Sequence, residues 1–227
     1  MYKDGFELWE TLHSQERFLP RYPQDDVVRW AFGKFDDEQR KRMKVIDLGC
    51  GGGRHAHFFA RNGFVTHATD RSFEGVVKTK SRLEVDKLEG ACVCSELVEL
   101  PYSEETFDLV LCYGVLCYLE RNTLEIVVCE INRILKKGGQ AFIMTRSNQD
   151  FRAKFSEDIG NNTSLIVAPA DTDFPAKAED GLLHSFLSRH DVEKVFCMFS
   201  NLTIERSTLT SSNEKYVNND WLIFATR

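Results

Sequence analysis

The sequence of 227 residues lacks the features that direct many proteins to membranes or nucleic acids. It has no apolar run long enough to span a bilayer, and its first residues lack the apolar core of a signal peptide. Its basic residues are not gathered into one face, and the net charge is -6. Because phosphate binding needs clustered positive charge, we expect neither a nucleic acid nor a membrane as a partner.

Cysteine pairs at the spacing of a zinc site are also missing. The seven cysteines fall mostly inside apolar runs, and the one close pair, Cys92 and Cys94, has no second pair to complete a metal site. We therefore predict free, mostly buried thiols, no metal ion, and a location in the reducing cytoplasm.

What the sequence does contain is a glycine-rich turn inside a strand and helix pattern. An apolar run over 44–48 stops at Gly49, Gly51 and Gly53, helical spacing follows, and a second short apolar run ends at Asp70. Glycines let a ligand approach the backbone, and an acid at the end of the second strand can accept both hydroxyls of a ribose. The pattern predicts a nucleoside-binding half.

The nucleoside is indicated by Asp47, which stands just before the first glycine. The glycines also fit the looser dinucleotide pattern. A bound dinucleotide would bring its pyrophosphate close to the Asp47 carboxylate, and the two negative charges would repel each other. The same carboxylate would instead attract a ligand that carries an ammonium group. The run 47–53 resembles the motif of class I S-adenosylmethionine-dependent methyltransferases, and the runs 96–102, 106–110 and 133–139 resemble later landmarks of that family, in order.

The resemblance implies S-adenosylmethionine as cofactor and a set of residues that bind it. Asp70 would hold the ribose, Glu96 the adenine amino group, the backbone of Leu97 the ring edge, and Tyr22, with Arg21, the carboxylate. The full predicted set of cofactor-binding residues is Asp47, Gly49, Gly51, Gly53, Asp70, Arg71, Glu96, Leu97, Tyr113 and Tyr22.

The same resemblance implies an α/β fold: a Rossmann-like seven-stranded sheet, mostly parallel with an antiparallel last strand, and helices on both faces. We interpret 1–227 as a single domain with an N-terminal helical cap over 1–40 and an insertion or substrate loop over 146–181. Helical spacing from Leu124 predicts a core helix with Lys136 and Lys137 in its last turn. Two closing strands are expected over 202–209 and 221–226.

The predicted activity is direct in-line methyl transfer to a small-molecule acceptor. Positioning can supply most of the acceleration, so a dedicated catalytic residue is not required. If the acceptor is a hydroxyl, Asp150, His184 or Tyr118 could take its proton. Two alternatives stay open: a non-catalytic cofactor-binding regulatory or partner subunit, and a nicotinamide oxidoreductase. The oligomeric state and the acceptor are left open.

Overall fold

Strands and helices alternate along most of the chain in the computed structural model, which describes residues 5–170 and 173–227. The helices are α1 (Gly5–His13), α2 (Asp25–Lys34), α3 (Asp37–Arg40), α4 (Arg54–Arg61), α5 (Phe73–Val85), α6 (Arg121–Ile134) and α7 (Arg189–Val195). The strands are β1 (Lys44–Leu48), β2 (Val65–Asp70), β3 (Ala91–Cys94), β4 (Phe107–Tyr113), β5 (Leu135–Arg146), β6 (Ser156–Gly160), β7 (Thr163–Ile166), β8 (Leu183–His184), β9 (Asn201–Ser211) and β10 (Tyr216–Thr226). Short 3₁₀ turns lie at Glu16–Phe18, Leu116–Tyr118, Phe151–Phe155 and Lys177–Glu179.

Seven strands form one sheet in the order β3-β2-β1-β4-β5-β10-β9. The pairs from β3 to β5 are parallel, and β10 runs antiparallel to both β5 and β9. This confirms the predicted mostly parallel, Rossmann-like sheet with an antiparallel last strand. The carboxyl ends of the parallel strands therefore meet at one edge, where open α/β sheets bind ligands.

Helices cover both faces of the sheet because neighbouring strand residues point to opposite sides. In β4, Leu109 and Leu111 pack on one face with α2 and α4, whereas Val110 and Cys112 pack on the other with α6 and α7. All four side chains are fully buried, so β4 is a central strand with two apolar faces. The predicted placement of helices on both faces is confirmed.

The 146–181 region differs from the predicted loop. Its described residues form two 3₁₀ turns and two strands, and β6, β7 and β8 pair as a separate three-stranded antiparallel sheet. Phe151 and Phe174 pack with Tyr216 of β10 beneath it. The polar residues of this stretch suggested a loop, and the packing of these aromatic residues was not predicted. Residues 171 and 172 lie outside the described part.

The end of α6 was predicted too late. The helix ends at Ile134, since Leu135 is already extended, and Lys136 and Lys137 belong to β5. The Lys136 ammonium lies 2.8 Å from Asp108 on β4, a pairing between strands that helical spacing cannot show. The two closing strands are also longer than predicted, so that only residues 212–215 separate β9 from β10.

The N-terminal segment contains the two predicted short helices, α1 and α2, separated by a break that includes Pro20 and Pro23. Residues 1–4 of the predicted cap lie outside the described part, and the interpretation of 1–227 as one domain stays a prediction. Among the described residues, no helix is long and apolar enough to cross a membrane. All seven cysteines are free thiols, but the prediction that most of them are buried is wrong: only Cys50, Cys112 and Cys117 are buried.

Candidate functional site

A cavity of about 350 Å³ opens at the carboxyl edge of the parallel strands. Its wall combines the glycine turn after β1, the end of β2, and the loops after β3 and β4 with α1 and the start of β8. A concave site of this size at this edge suits a small ligand. The lining residues that the sequence predicted are Gly49, Gly51, Asp70, Arg71, Glu96, Leu97 and Tyr113.

The glycine turn is built by close packing as well as by backbone conformation. Gly49 has a φ of +68°, and a Cβ there would lie 2.3 Å from the Val115 side chain. Its N–H donates to the Thr69 carbonyl at 2.8 Å, which ties the turn to β2. Gly53 precedes α4 in the left-handed region, and a Cβ there would meet Thr79 at 2.7 Å. A side chain at either position is therefore excluded.

Asp70 stands at the end of β2 with its carboxylate fixed by the backbone. One oxygen accepts from the Gly51 N–H at 2.8 Å and the other from the Ser72 N–H at 2.9 Å. The residue is 7% exposed and lines the cavity. Since each carboxylate oxygen can accept a second bond, the pair can still receive two neighbouring hydroxyls of a ligand.

Asp47 is not among the residues that line the cavity. It is 1% exposed, and its carboxylate accepts from the Ala56 N–H at 3.1 Å in the first turn of α4. Burial raises the pKa of Asp47 to about 7, although the Arg54 guanidinium opposes that shift. The structure thus puts Asp47 behind the glycine turn, where it anchors the helix start.

The loops after β2 and β3 supply a pair of opposite charges to the wall. The Arg71 guanidinium Nε lies 3.6 Å from a Glu96 carboxylate oxygen, and the Glu96 side chain is 61% exposed. Leu97, next in the chain, is buried beside them. The arrangement leaves the Glu96 carboxylate able to accept from an amino group of a ligand.

Tyr113, at the end of β4, connects the cavity to the N-terminal segment. Its hydroxyl donates to Asp26 of α2 at 2.9 Å, and burial raises its pKa well above the ordinary value. The neighbouring His55 ring accepts from the Gln24 N–H at 3.4 Å, and burial lowers the pKa of His55 to about 3. His55 is therefore neutral and holds the chain before α2 against the glycine turn.

The N-terminal cap reaches the cavity through other residues than predicted. Tyr22 is 81% exposed and is not among the lining residues, whereas Trp9 and His13 of α1 line the cavity. His13 Nδ1 lies 2.9 Å from the Ser72 hydroxyl, and burial lowers the pKa of the ring although Asp70 opposes the shift. Their spacing of four residues puts both side chains on one helix face, the only sequence signal that points to them.

Of the three predicted proton acceptors, only Tyr118 lines the cavity. Asp150 is 1% exposed and accepts from the Arg152 backbone and guanidinium. His184 is fully buried with Nε2 3.0 Å from a Glu179 carboxylate oxygen. Burial raises the pKa of Tyr118 well above 10, so its phenol stays protonated and can donate but not accept a proton. A catalytic base is therefore not evident among these three.

The residues of the cavity fit a nucleoside cofactor without phosphate. The turn admits backbone contact, Asp70 offers two acceptors, and Glu96 adds a third. The Asp47 carboxylate lies behind the turn, and in its ionised form it would repel a pyrophosphate bound at the turn.

Comparison with known sequences points the same way. The profile of a family described as a methyltransferase domain matches residues 46–143. The uncharacterized protein MJ0638 of Methanocaldococcus jannaschii is 33% identical over 172 residues, which cover 74% of this chain and 69% of that protein. A ubiquinone biosynthesis O-methyltransferase of Coxiella burnetii is 26% identical over 132 residues, covering 58% of this chain and 55% of that enzyme.

Solved structures share the fold at low sequence identity. One similar chain comes from a structure that concerns the conversion of a disulfide bond into a thioacetal group during echinomycin biosynthesis. It superposes with a TM-score of 0.70 at 18% identity, covering 99% of this chain and 93% of that one. A SAM-dependent methyltransferase of Methanosarcina mazei gives a TM-score of 0.65 at 12% identity, covering 90% of this chain and 98% of that one. These similarities concern the fold.

Proposed function

Because the chain belongs to the class I S-adenosylmethionine-dependent methyltransferases, we propose that this enzyme moves the cofactor's methyl group to a small-molecule acceptor by direct in-line transfer. The small size of the cavity and its enclosure by α1 and β8 support a small acceptor. A net charge of -6 supports a partner other than nucleic acid. Seven free thiols support a reducing, cytoplasmic location.

The observation that carries the proposal is the fixed carboxylate of Asp70. Both of its oxygens are held by N–H groups, one of them from the glycine turn, so that ribose binding and turn geometry depend on one side chain. We propose that Asp70 binds the ribose, that Glu96 and Leu97 bind adenine, and that Gly49 and Gly51 admit the backbone contact. Asp47 and Gly53 act indirectly, by shaping the turn and the start of α4.

The remaining predicted residues act at the rim of the cofactor site. Arg71 orients Glu96 through their ion pair, and Tyr113 joins the site to α2 through Asp26. His13 takes the place that the sequence assigned to Tyr22, because α1 lies against Ser72 and Gly51.

Bound S-adenosylmethionine would supply an electrophilic methyl group on a sulfonium. The chain's own residues orient the two reactants and exclude water from them. Trp9 and His13 cover the site from one side, and Leu182 and Leu183 from another. Holding two reactants in line can contribute roughly 7–11 kcal/mol, which is enough for catalysis without a dedicated base.

Calorimetry with S-adenosylhomocysteine and NADH tests the proposal without a known acceptor. We expect the wild type to bind S-adenosylhomocysteine and not NADH. Loss of two charge-assisted hydrogen bonds in Asp70→Ala should weaken binding about 100-fold or more. The matched control is Asp86→Ala. Asp86 is a partly exposed aspartate at the end of α5 that pairs with His57, so the variant should bind S-adenosylhomocysteine normally.

Binding of NADH in preference to S-adenosylhomocysteine would support the oxidoreductase alternative and refute the proposal. Binding of S-adenosylhomocysteine without methyl transfer to any acceptor in a broad screen would favour a non-catalytic subunit.

A further inference from the structure

Three arginines from separate elements come together at the rim of the cavity. Arg54 begins α4 and lines the cavity, Arg82 lies in the last turn of α5, and Arg21 lies in the segment that joins the first 3₁₀ turn to α2. The Arg82 guanidinium donates to the carbonyl of Pro20, the residue before Arg21, at 3.0 Å. We call Arg21, Arg54 and Arg82 the arginine cluster.

The segment that carries Arg21 is tied to the glycine turn and to α4 at its two ends. Before it, Leu19 packs on Gly52, where a Cβ would lie 2.5 Å from the leucine side chain. After it, the Gln24 N–H donates to the His55 ring at 3.4 Å. The fold therefore brings the three guanidinium groups together before any ligand binds.

The positive charge of the arginine cluster is not compensated by the protein. Among the described residues, no carboxylate forms an ion pair with any of these three guanidinium groups. Two acids act on Arg54 from a greater distance, Asp26 and Asp47. Each is bonded to another partner, Asp26 to the Tyr113 hydroxyl and Asp47 to the backbone of α4. The cluster thus keeps positive charge available for a ligand.

Holding these charges together is unfavourable for the protein alone. Burial lowers the pKa of Arg82, and the charges of Arg21 and Arg54 lower it further. Burial also lowers the pKa of Arg54, whose position in the first turn of α4 sets its charge against the helix dipole. A partly buried cluster of like charges is expected where an anionic ligand supplies the missing countercharge.

The charge of the cluster exceeds what the proposed cofactor can neutralise. S-adenosylmethionine carries one carboxylate and no phosphate, and a carboxylate makes its bidentate pair with one guanidinium group. A phosphate monoester carries about two negative charges and three strong acceptor oxygens, so that it can receive hydrogen bonds from all three arginines.

We propose that the arginine cluster binds the phosphate group of a small ligand other than the cofactor. Two sources share this chemistry, a phosphate ester on the methyl acceptor and free inorganic phosphate. The exclusion of the cofactor rests on the proposed function, whereas the site itself goes beyond that function and can be measured without cofactor or methyl transfer.

Calorimetric titration of the full chain with inorganic phosphate, at constant ionic strength and without cofactor, tests the site. We expect saturable binding of one phosphate per chain. Arg82→Gln should weaken it about tenfold or more, because one charge-assisted hydrogen bond is lost. The matched control is Arg61→Gln at the far end of α4. Arg61 is 68% exposed and paired with Asp86, so this variant should bind phosphate as the wild type does.

A second variant separates loss of charge from loosening of the segment, since Arg82 also holds the Pro20 carbonyl. Arg21→Gln removes an exposed guanidinium and should weaken phosphate binding several-fold. Wild-type protein saturated with S-adenosylhomocysteine should still bind phosphate, because the cofactor leaves part of the cluster unpaired.

Titration with phenyl phosphate distinguishes the two sources. Tighter binding than that of inorganic phosphate identifies a ligand whose organic part enters the cavity beside Arg54, which lines it. Equal or weaker binding identifies the free ion.

The outcomes separate this inference from the proposed function. Absence of saturable phosphate binding to the wild type, or unchanged affinity in both Arg82→Gln and Arg21→Gln, would overturn the inference. Complete displacement of phosphate by S-adenosylhomocysteine would also overturn it, because the cluster would then belong to the cofactor site. If S-adenosylhomocysteine does not bind, the proposed function fails, and the titrations without cofactor still decide whether the phosphate site exists.

Discussion

The buried carboxylate of Asp47 predicts that the protein loses stability as the pH rises from about 4 to 7. Burial raises its pKa from 3.8 to about 7 in the folded state. A group whose folded pKa is raised stabilises the fold only while it is protonated, so the contribution disappears as the pH rises from about 4 to 7. With about 1.4 kcal/mol per pKa unit, the ionised carboxylate costs about 4 kcal/mol at pH 8.

Substitution by asparagine isolates this contribution. Asp47→Asn keeps an oxygen that can accept from the Ala56 N–H but cannot ionise. Relative to the wild type, we expect its free energy of unfolding to gain about 2.5 kcal/mol between pH 5 and pH 8. Urea unfolding of both proteins without ligand, followed by far-UV circular dichroism at several pH values, measures this difference.

The control is Asp25→Asn on α2, whose side chain is 75% exposed and paired with Arg29. A difference between wild type and Asp47→Asn that stays constant from pH 5 to pH 8 would refute the reasoning. S-adenosylhomocysteine should reduce the difference, because its ammonium group near the turn favours the ionised carboxylate.

Three further predictions concern the turn, the cap and the buried network. In urea unfolding, Gly49→Ala should destabilise the protein by about 2 kcal/mol more than Gly138→Ala. Both glycines have positive φ, but only a Cβ at Gly49 would meet a side chain. Equal destabilisation by the two substitutions would contradict this reasoning. In calorimetry, His13→Ala should weaken the binding of S-adenosylhomocysteine several-fold. His13→Gln should bind it more tightly than His13→Ala, because the glutamine amide can form a hydrogen bond to Ser72. Unchanged affinity in His13→Ala would place α1 outside the site. Burial would raise the pKa of Glu179, but the contacts with His184 and Arg152 outweigh it and lower that pKa to about 2. Glu179 therefore stabilises the fold by about 3 kcal/mol at neutral pH, and this contribution is lost as the pH falls from 4.5 to 2. Glu179→Gln should flatten acid unfolding over that range, and an unchanged acid profile would contradict the pairing with His184 and Arg152.

The nucleoside half could be predicted from the sequence because its signals are local. Strand β1, the glycine turn, α4 and Asp70 lie within 27 consecutive residues, from 44 to 70, and each is indicated by apolar spacing or by a glycine. The family resemblance extended this to a seven-stranded, mostly parallel sheet with an antiparallel last strand, a strand direction that spacing alone does not determine.

The other walls of the cavity could not be predicted because their contacts are distant in sequence. His13 meets Ser72 across 59 residues, and Tyr113 meets Asp26 across 87. Tyr22 was predicted because the family resemblance places the N-terminal segment over the cofactor, but an exposed aromatic residue and a cavity-lining one cannot be told apart without tertiary contacts. The aromatic anchors of the three-stranded sheet were hidden for the same reason, since Phe151 and Phe174 pack on Tyr216 from another part of the chain.

The glycines of the motif can be seen in the sequence, but the contacts that require glycine at each position are tertiary. A Cβ at Gly49 would meet Val115, one at Gly51 would approach the His13 ring at 3.3 Å, and one at Gly53 would meet Thr79. Each glycine is thus required by a different element of the protein before any ligand binds. Loss of binding in a glycine variant would report a distorted turn and would not by itself identify a cofactor contact. Substitution of Glu96, whose side chain lines the cavity and does not hold the turn, tests the cofactor site more directly.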